Sequence, residues 1–324
     1  MREIIVDKNE SNQRLDRFLK KYLANATQGF IYKMLRKKNI KLNGKKANPE
    51  DTIIEGDLIQ LFLSDETIHK FIAIKEEIKS NLIPSIIYED ENIILINKNV
   101  GILSHGAGGA YEENVVDSMI SYLIEKGEYI PRLEKTFTPA ICNRLDRNTS
   151  GIVIGAKNYQ SLKNINQAIK EKSVRKFYKT IVKGKIKKDF LSEAYLSKDD
   201  ERNIVNVSNV EFEDSKKIET FIKVIKTNEE YSLLEIELIT GRTHQIRSHL
   251  NSLGYPVIGD RKYGDNKVNK LFNKKYELDN QWLHGYRIEF NGLKNPLEYL
   301  NCKLYEASMS DKYLRIEKDL FDRS

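Results

Sequence analysis

The first 63 residues have the hydrophobic spacing of two short helices and a small β-ribbon. One stripe follows the i, i+3, i+4 spacing of an amphipathic helix and consists of Leu15, Phe18, Leu19, Tyr22 and Leu23. A second, shorter helix is predicted after Thr27, a residue that favours the helix N-cap, from the stripe Ile31, Met34 and Leu35. Asn43-Gly44 is a strong hairpin-turn signal, and an apolar run at 58–63 follows it.

From residue 84 onwards the apolar runs are short and are separated by turns. They lie at 93–96, 152–154, 221–224, 233–239 and 288–290. Helical spacing recurs at Leu162, Ile165 and Ile169, and two candidate helices with less regular spacing lie at 115–124 and 245–253. Strands that follow one another without helices between them favour an antiparallel sheet over a doubly wound parallel one. The pattern predicts an α+β fold with a mixed, mainly antiparallel sheet and flanking helices.

A polar, charged stretch at 64–81 separates these two patterns. We interpret it as a linker region, with an edge strand possible only near 71–74. The predicted organisation is a small binding domain at 1–72, a linker at 73–83 and a larger domain at 84–324. The 324 residues are enough for two domains that each have a core.

Positive charge is concentrated in two segments. The formal net charge is only +7, yet each of the stretches from Arg14 to Lys46 and from Lys157 to Lys188 contains eleven basic residues and one acidic residue. The rest of the chain is therefore acidic. Clustered Lys and Arg neutralise phosphates, so the distribution favours a nucleic-acid partner over a merely solvated surface.

Composition and short motifs exclude several other classes of protein. No apolar run approaches the roughly 18 residues of a membrane span, and the first residues lack the pattern of a signal peptide. We therefore expect a cytoplasmic protein without a membrane partner. Cys142 and Cys302 are the two cysteines of the sequence, far apart, and we expect two buried thiols rather than a disulfide or a zinc site.

The segment 143–151 has the sequence Asn-Arg-Leu-Asp-Arg-Asn-Thr-Ser-Gly and precedes a β-branched run. Its end has turn chemistry, and the run predicts a buried strand. An aspartate between Arg144 and Arg147 is expected to favour its ionised form, which suits a nucleophile or a base. A structural salt bridge is the alternative for Asp146. The same tetrapeptide at 14–17 lies within a helical stripe, where we interpret it as structural.

A second segment, 240–249, follows the predicted strand at 233–239 and contains Arg242, His244, Arg247 and His249. The two histidines are five residues apart, which does not place them on one helix face, so a two-histidine metal site is disfavoured. The glycine-rich stretch at 106–109 lacks the Lys-Ser/Thr of a phosphate-binding loop. We therefore expect no metal and no cofactor.

These segments resemble the pseudouridine synthases, specifically the branch that acts on large-subunit ribosomal RNA. Segment 143–151 is similar to the family motif H-R-L-D-x-x-T-S-G, with Asn143 in place of the usual histidine, and 241–247 has the whole motif G-R-T-H-Q-I-R. Residues 254–260 continue the pattern, and Lys176-Phe177-Tyr178 fits its K-x-Y motif. Asn99 stands where the family usually has proline.

The resemblance implies isomerisation of uridine to pseudouridine by base flipping. Asp146 is then the catalytic carboxylate, acting as nucleophile or as base towards the sugar, and Arg247 pairs with it. Tyr178 stacks on the flipped base and assists in removing the C5 proton, and Arg144 fills the vacated stack. The implied RNA-binding residues also include Arg147, Arg242 and His244. For Asn143 we expect altered support of the loop rather than loss of activity.

The first domain resembles the S4 type of RNA-binding domain, on the residues at 13–19, 31–37, 42–45 and 56–57. In that type the second helix and the turn after it contact RNA, which implicates Arg36, Lys37 and Lys38. With this domain in front, the chain is most similar to the C-type rRNA enzymes, and we expect a monomer that modifies 23S ribosomal RNA. Two alternatives stay open, a pseudouridine synthase acting on tRNA and a non-catalytic RNA-binding or ribosome-assembly protein. A hydrolytic glycosidase is disfavoured because no motif supplies a second carboxylate.

Overall fold

The computed structural model describes residues 1–7, 9–72, 80–106, 110–129, 137–199 and 204–322. The chain divides into two compact units. The first contains Met1–Lys79 with Ile120–Pro139 and Lys157–Gln160, and the second contains Ser80–Met119, Ala140–Ala156 and Ser161–Ser324. Most of the predicted linker at 73–83 falls at 73–79, outside the described residues, so its bounds stay a prediction.

The N-terminal part of the first unit combines short strands with three helices among its described residues. Its elements are β1 (Arg2–Ile5), β2 (Gln13–Arg14), α1 (Leu15–Tyr22), α2 (Gln28–Arg36), β3 (Ile40–Leu42), β4 (Lys45–Lys46), β5 (Thr52–Ile53), β6 (Leu58–Leu61) and α3 (Asp65–Phe71). Both predicted helices and the predicted hairpin are confirmed. Thr27 caps α2 as expected, since its side chain accepts a hydrogen bond from the Phe30 amide at 3.2 Å.

The apolar stripes of α1 and α2 form the core of this part. Leu15, Phe18 and Leu19 are fully buried, and they belong to one cluster with Ile31 and Leu35. A sheet in the order β1-β6-β3-β4 contributes further residues to that cluster. Because the apolar side chains are used in the core, the basic side chains of both helices are left at the surface.

The interpretation of 64–71 as linker is wrong. Helix α3 occupies Asp65–Phe71, and the Ser64 hydroxyl caps it by accepting from the Thr67 amide at 3.3 Å. Ile68 is fully buried in the core of the first unit, and Phe71 packs against that core. The proposed edge strand is therefore excluded at Phe71, while 73–74 lie outside the described residues. One i, i+3 pair in a polar segment was too little periodicity to predict a helix.

The remaining strands and helices begin at Ile86. The strands are β7 (Ile86–Glu89), β8 (Ile93–Lys98), β9 (Ala140–Ile141), β10 (Ser150–Ala156), β11 (Val174–Lys183), β12 (Phe190–Asp199), β13 (Ile204–Ser208), β14 (Lys216–Thr227), β15 (Tyr231–Leu238), β16 (Leu283–Phe290) and β17 (Leu304–Glu306). The helices are α4 (Val115–Glu125), α5 (Tyr159–Lys170), α6 (Gln245–Ser252), α7 (Asn266–Tyr276), a short 3-10 turn (Glu298–Leu300) and α8 (Asp311–Phe321).

One large sheet organises the second unit. Its order is β13-β12-β14-β15-β11-β16-β10-β8-β7, with β17 added to β16 and β9 added to β10. Neighbouring strands are antiparallel except β10 and β16, which are parallel at Ser150 and Gly151. The prediction of a mixed, mainly antiparallel sheet with flanking helices is confirmed.

Helices α7 and α8 were missed by the sequence analysis. Each buries few apolar side chains, Phe272 and Tyr276 in α7 and Tyr313 and Ile316 in α8, among lysine, asparagine and acidic residues. These four side chains share one cluster with Trp282. The two helices are stabilised by packing in this cluster. Its members are far apart in the sequence, so local periodicity does not predict the helices.

The two cysteines differ in environment. Cys142 is half-buried, and burial raises the pKa of its thiol to about 12. Cys302 is exposed, so the expectation of two buried thiols is wrong for this residue. Among the described residues, no helix is both long and apolar enough to cross a membrane.

Candidate active site

The two arginine-containing segments of the sequence meet at a single ion pair. Arg247 Nη1 donates to Asp146 Oδ2 at 2.9 Å, although the two residues are 101 positions apart. Asp146 lies in the loop before β10, and Arg247 lies in the first turns of α6. The Asp146 side chain is 26% exposed, whereas that of Arg247 is 8% exposed. Both residues line one cavity, and the carboxylate is the more exposed of the two.

Asp260 holds the other side of the Arg247 guanidinium. Arg247 Nε donates to Asp260 Oδ2 at 2.6 Å and Nη2 donates to Oδ1 at 2.9 Å, which is a bidentate pair. Asp260 is fully buried and also accepts from the amides of Lys262 and Tyr263. Burial alone would lower the pKa of Arg247, but Asp260 and Asp146 raise it above its ordinary value. The remaining guanidinium nitrogen is thereby fixed and directed at Asp146.

The backbone around Asp146 is tied down on both sides. Before it, the Ser104 hydroxyl donates to the Leu145 carbonyl at 2.7 Å and accepts from the Leu145 amide at 3.0 Å. After it, the Arg147 carbonyl accepts from Lys98 Nζ at 2.9 Å and from the Gly101 amide at 3.0 Å. The position of the carboxylate is therefore determined by backbone contacts as well as by Arg247.

Asn143 supports the same loop in place of the usual histidine of the motif. Its side-chain oxygen accepts from the Ile154 amide at 2.8 Å, and its side-chain nitrogen donates to the Ile152 carbonyl at 3.0 Å. The side-chain amide of Asn143 thus forms two hydrogen bonds with the backbone of β10, as the peptide group of a neighbouring strand would. That the substitution alters loop support without loss of activity stays a prediction.

Tyr178 lines the same cavity as Asp146. A β-bulge between Phe177 and Lys179 interrupts the pairing of β11 with β16 at this residue. Burial, and then the charge of Asp146, raise the pKa of the Tyr178 phenol. A Cβ atom on Gly285 would lie 3.1 Å from Cε1 of this ring, so glycine leaves the space that the ring needs.

Gly151 is required by a close approach of two strands. It has a φ of +125°, and a Cβ atom there would lie 2.2 Å from the carbonyl oxygen of Gly285 on the parallel strand β16. No side chain fits this gap. The glycine that ends the first motif therefore allows β16, whose Gly285 borders the Tyr178 ring, to lie directly against the strand that follows Asp146.

The other predicted site residues are only partly brought together. Arg144 and Arg242 are exposed and line the cavity. His244 also lines it, has a left-handed φ of 55°, and its Nδ1 lies 3.0 Å from the Tyr263 hydroxyl. Burial lowers the pKa of His244. Arg147 does not line the cavity and instead forms a two-point ion pair with Glu112.

The two basic segments of the sequence differ in how far their charge is compensated. In the first, Arg14 alone has an ion pair within the described part of the chain, and the three predicted RNA contacts Arg36, Lys37 and Lys38 are exposed. In the second segment, counting only partners in the described ranges, five of the eleven basic residues form ion pairs with acidic residues from elsewhere, namely Lys157, Lys172, Arg175, Lys183 and Lys185. The second segment is therefore much less positive than its sequence indicates.

Two neutral histidines support the elements of this site. His249, on α6, lies between the hydroxyls of Ser192 at 2.9 Å and Thr220 at 3.0 Å. His284, on β16, lies 2.8 Å from the Ser150 hydroxyl and 3.2 Å from the Ala307 carbonyl oxygen. Both rings are fully buried, and burial lowers the pKa of each from 6.5 to about 4.

Acidification is expected to destabilise the fold between pH 6.5 and 4. The unfolded chain binds a proton on each of these histidines near pH 6.5, but the folded protein does so only near pH 4, so the free energy of unfolding falls as the pH falls. By pH 5 the two histidines together lower the free energy of unfolding by about 4 kcal/mol at most. Urea unfolding at about pH 7.5 and pH 5, with NMR titration of the imidazoles, measures it. A folded-state titration of either ring near pH 6.5 would contradict this assignment.

Sequence reasoning missed Asp260 and Tyr263 as parts of the site. Asp260 lies in a segment that was recognised only as a continuation of the motif. It is 13 positions from Arg247, so no local spacing in the sequence indicates that the two residues pair. Tyr263 lies 3.0 Å from His244 and has the Arg247 guanidinium 5.2 Å from its ring centroid. Within the described ranges, no group of three His, Cys, Asp or Glu side chains could hold a metal ion.

Comparison with known proteins identifies the family. Residues 92–252 match the family model described as RNA pseudouridylate synthase. An RNA pseudouridine synthase of Mycoplasma capricolum is 34% identical over 312 residues, which cover 94% of this chain and 96% of the relative. The chain belongs to the RNA pseudouridine synthase family. This synthase is also 30% identical to the ribosomal large subunit pseudouridine synthase C of Vibrio parahaemolyticus, over 95% of this chain and 94% of the relative.

A solved structure supports the fold of this pseudouridine synthase. The human RNA pseudouridylate synthase domain containing 4 aligns with a TM-score of 0.56 at 19% identity, over 73% of this chain and 92% of that one. Identity this low bears on the fold alone. The activity, isomerisation of uridine in RNA, follows from the family membership.

Proposed function

We propose that this enzyme isomerises specific uridines of large-subunit ribosomal RNA, with Asp146 as the catalytic carboxylate. The observation that carries the proposal is the Asp146 carboxylate in a cavity, held at 2.9 Å by an arginine that is itself clamped by a buried aspartate. The relative from Vibrio parahaemolyticus is named for large-subunit rRNA, which supports the choice of RNA.

The reaction requires a pocket that handles both the base and the sugar. The N1–C1′ bond breaks, the base turns, and a C5–C1′ bond forms, while the proton leaves C5 and N1 gains one. The target nucleotide must first leave the stack, at a cost of about a few kcal/mol. The reaction is redox-neutral and transfers no external group, so the proposal needs no cofactor.

Asp146 acts on the sugar, either as the nucleophile at C1′ or as a base. Both roles need an ionised carboxylate in a fixed position, and Arg247 supplies the position by donating to Oδ2. Because Asp260 occupies the other edge of that guanidinium, Arg247 cannot turn away when RNA enters. We assign Arg247 as a residue that orients the carboxylate.

Tyr178 stacks on the flipped uracil. Its ring lines the cavity with Asp146 and borders Gly285. The raised pKa keeps the phenol protonated at neutral pH, so assistance in removing the C5 proton would require the phenol to pass its own proton to the nearby carboxylate. Stacking is the role that the neutral phenol fills directly.

The arginines at the mouth of the cavity contact RNA. Arg144 is exposed, lines the cavity beside Asp146 and has the length to enter the gap that the flipped base leaves. Arg242 and His244 also line the cavity, just before α6, and we assign them to RNA binding and support of that loop. Arg147 is held by Glu112, and its contribution to RNA binding is expected to be small.

The N-terminal part is proposed to be an S4-type RNA-binding domain of a C-type enzyme. Its two helices bury their apolar stripes and expose Arg36, Lys37 and Lys38 at the end of α2 and in the following turn. Basic side chains without ion pairs are available to RNA phosphates, and each phosphate contact adds to the salt dependence of binding.

Neutralising these three residues is expected to weaken RNA binding and its salt dependence. The variant R36A/K37A/K38A should lower the slope of log Kd against log salt concentration by about 2 to 3, since each lost phosphate contact removes about 0.9. Fluorescence anisotropy with an rRNA fragment measures the slope. The matched control is K270A/K274A/K275A, three exposed lysines of α7. Equal slopes for wild type and R36A/K37A/K38A would show that these three residues are solvated and do not contact RNA phosphates.

The choice of RNA is tested with tritium placed at C5 of uridine. The reaction replaces the C5–H bond, so each conversion releases tritium to water. Large-subunit rRNA transcripts should release tritium, and transcripts of small-subunit rRNA and tRNA should not. Release from tRNA alone would establish the tRNA alternative. RNA binding without release from any transcript would establish the non-catalytic alternative.

A further inference from the structure

Lys176 is a buried cation with no counterion. Only 9% of its surface is exposed, and within the described part of the chain it makes no hydrogen bond or ion pair. Burial lowers the pKa of Lys176, and no carboxylate offsets this effect. Taking an ammonium out of water without an anion costs several kcal/mol. Such a group is expected to gain its counterion from a ligand.

The other basic residues of the same segment contrast with Lys176. Lys172, Lys183 and Lys185 are paired with acidic side chains. Those that remain without an ion pair are exposed or half-buried, and water can solvate them. Lys176 alone in that segment, as far as the structure describes it, is both buried and unpaired.

Lys176 lies next to residues that line the candidate active site. It is two positions before Tyr178 on β11, so both side chains point to the same face of the sheet. On the neighbouring strand Phe177 pairs with Glu237, which places Leu238, a residue lining the cavity, opposite Lys176. The ammonium also lies beside Gly241: a Cβ atom on that glycine would be 3.6 Å from Nζ.

Lys176 borders the rim of the cavity, at the exposed residues 241–243. Lys176 does not line the innermost cavity with Asp146, and the adjacent residues Gly241, Arg242 and Thr243 are exposed. Since residue 241 has no side chain, a ligand can approach the ammonium from that direction. In RNA bound at this rim, the group with a full negative charge is the phosphate.

We propose that Lys176 binds a non-bridging phosphate oxygen of the RNA strand next to the flipped uridine. This inference rests on the proposed function, since it takes RNA as the substrate at this site. The ammonium gains a counterion only when the target strand is in place. Because Tyr178 is two residues after Lys176 on β11, Lys176 thereby couples the position of the RNA backbone to that of the base stacked on Tyr178.

The variant K176M is expected to weaken RNA binding without destabilising the fold. Methionine has similar length and no charge, so Kd for an rRNA hairpin should rise about tenfold and the salt slope should fall by about 1. The midpoint of thermal unfolding of the RNA-free protein should stay equal or rise, because an uncompensated buried charge is removed. A drop of more than about 5 °C would assign Lys176 to the fold instead.

A double-mutant cycle with modified RNA locates the contact. Phosphates around the target uridine are replaced one at a time by uncharged methylphosphonates, and Kd is measured for wild type, K176M and the control K183M. Lys183 ends the same strand but is exposed and paired with Asp265. One methylphosphonate should weaken wild type and K183M about tenfold and K176M hardly at all.

The outcomes separate the two proposals. Equal Kd values for wild type and K176M, or equal methylphosphonate effects at every position, would overturn the assignment of Lys176 even if pseudouridine forms normally. An absence of tritium release by wild type would overturn the proposed function, while the binding cycle would still show whether Lys176 contacts a phosphate.

Discussion

Replacing Asp146 with asparagine is expected to reduce pseudouridine formation by at least about 10³-fold, the scale of losing a nucleophile or essential base. Asparagine keeps the shape of the side chain but offers no carboxylate to C1′ or to the sugar. The fold should be unaffected, because the Asp146 side chain is 26% exposed and Arg247 keeps its bidentate partner Asp260. Tritium release from rRNA and the thermal midpoint measure the two effects.

The chain contains a matched control for this variant. Asp16 lies in a second copy of the tetrapeptide Arg-Leu-Asp-Arg, where it pairs with Arg14 at 2.9 Å and accepts from the Tyr32 hydroxyl at 2.9 Å. D16N removes the same charge from the same local sequence and should keep pseudouridine formation. Full activity in D146N would remove Asp146 from the mechanism, and equal losses in both variants would show an effect of charge alone.

Replacing Arg247 with methionine is expected to damage both catalysis and stability. The variant leaves Asp260, which is fully buried, without its cationic partner, and breaking a buried pair from one side costs about 3 to 5 kcal/mol. It also removes the donor that positions Asp146. We expect loss of measurable turnover together with a thermal midpoint lowered by several degrees, in contrast to D146N.

Two further variants show which contact matters. R247K keeps the charge but cannot form the bidentate pair with Asp260 and the contact to Asp146 at once, so it should restore part of the stability and little of the activity. D260N should lose stability and misalign Arg247, and so reduce turnover while Asp146 is intact. Wild-type stability and turnover in D260N would show that the clamp is dispensable.

The sequence predicts the elements with strong local periodicity and the segments that form the site. Helices α1 and α2 have full apolar stripes, and the hairpin contains Asn43-Gly44, so each is determined by residues close together in the chain. Segments 143–151 and 241–247 were identified by their motifs. Asp146 and Arg247 were matched to each other through the family resemblance, and the structure brings them within 2.9 Å.

The parts that the sequence does not predict depend on contacts between distant residues. Asp260 becomes part of the site only because the fold places it against Arg247. Helices α7 and α8 depend on a shared cluster with Trp282 rather than on their own stripes. Part of the charge of the second basic segment is compensated by acidic residues from other strands and from the start of α7, which is why its composition overstated its positive charge and why Lys176 was not distinguished from its neighbours.

The central claim is that this chain converts uridine to pseudouridine at the Asp146 site, and direct mapping of the product tests it. Purified protein is incubated with a large-subunit rRNA transcript in the presence of EDTA, and pseudouridines are located at single-nucleotide resolution. The account predicts conversion of discrete uridines by wild type and none by D146N. Bound but unconverted RNA with wild type, or the same pseudouridines with D146N, would contradict it.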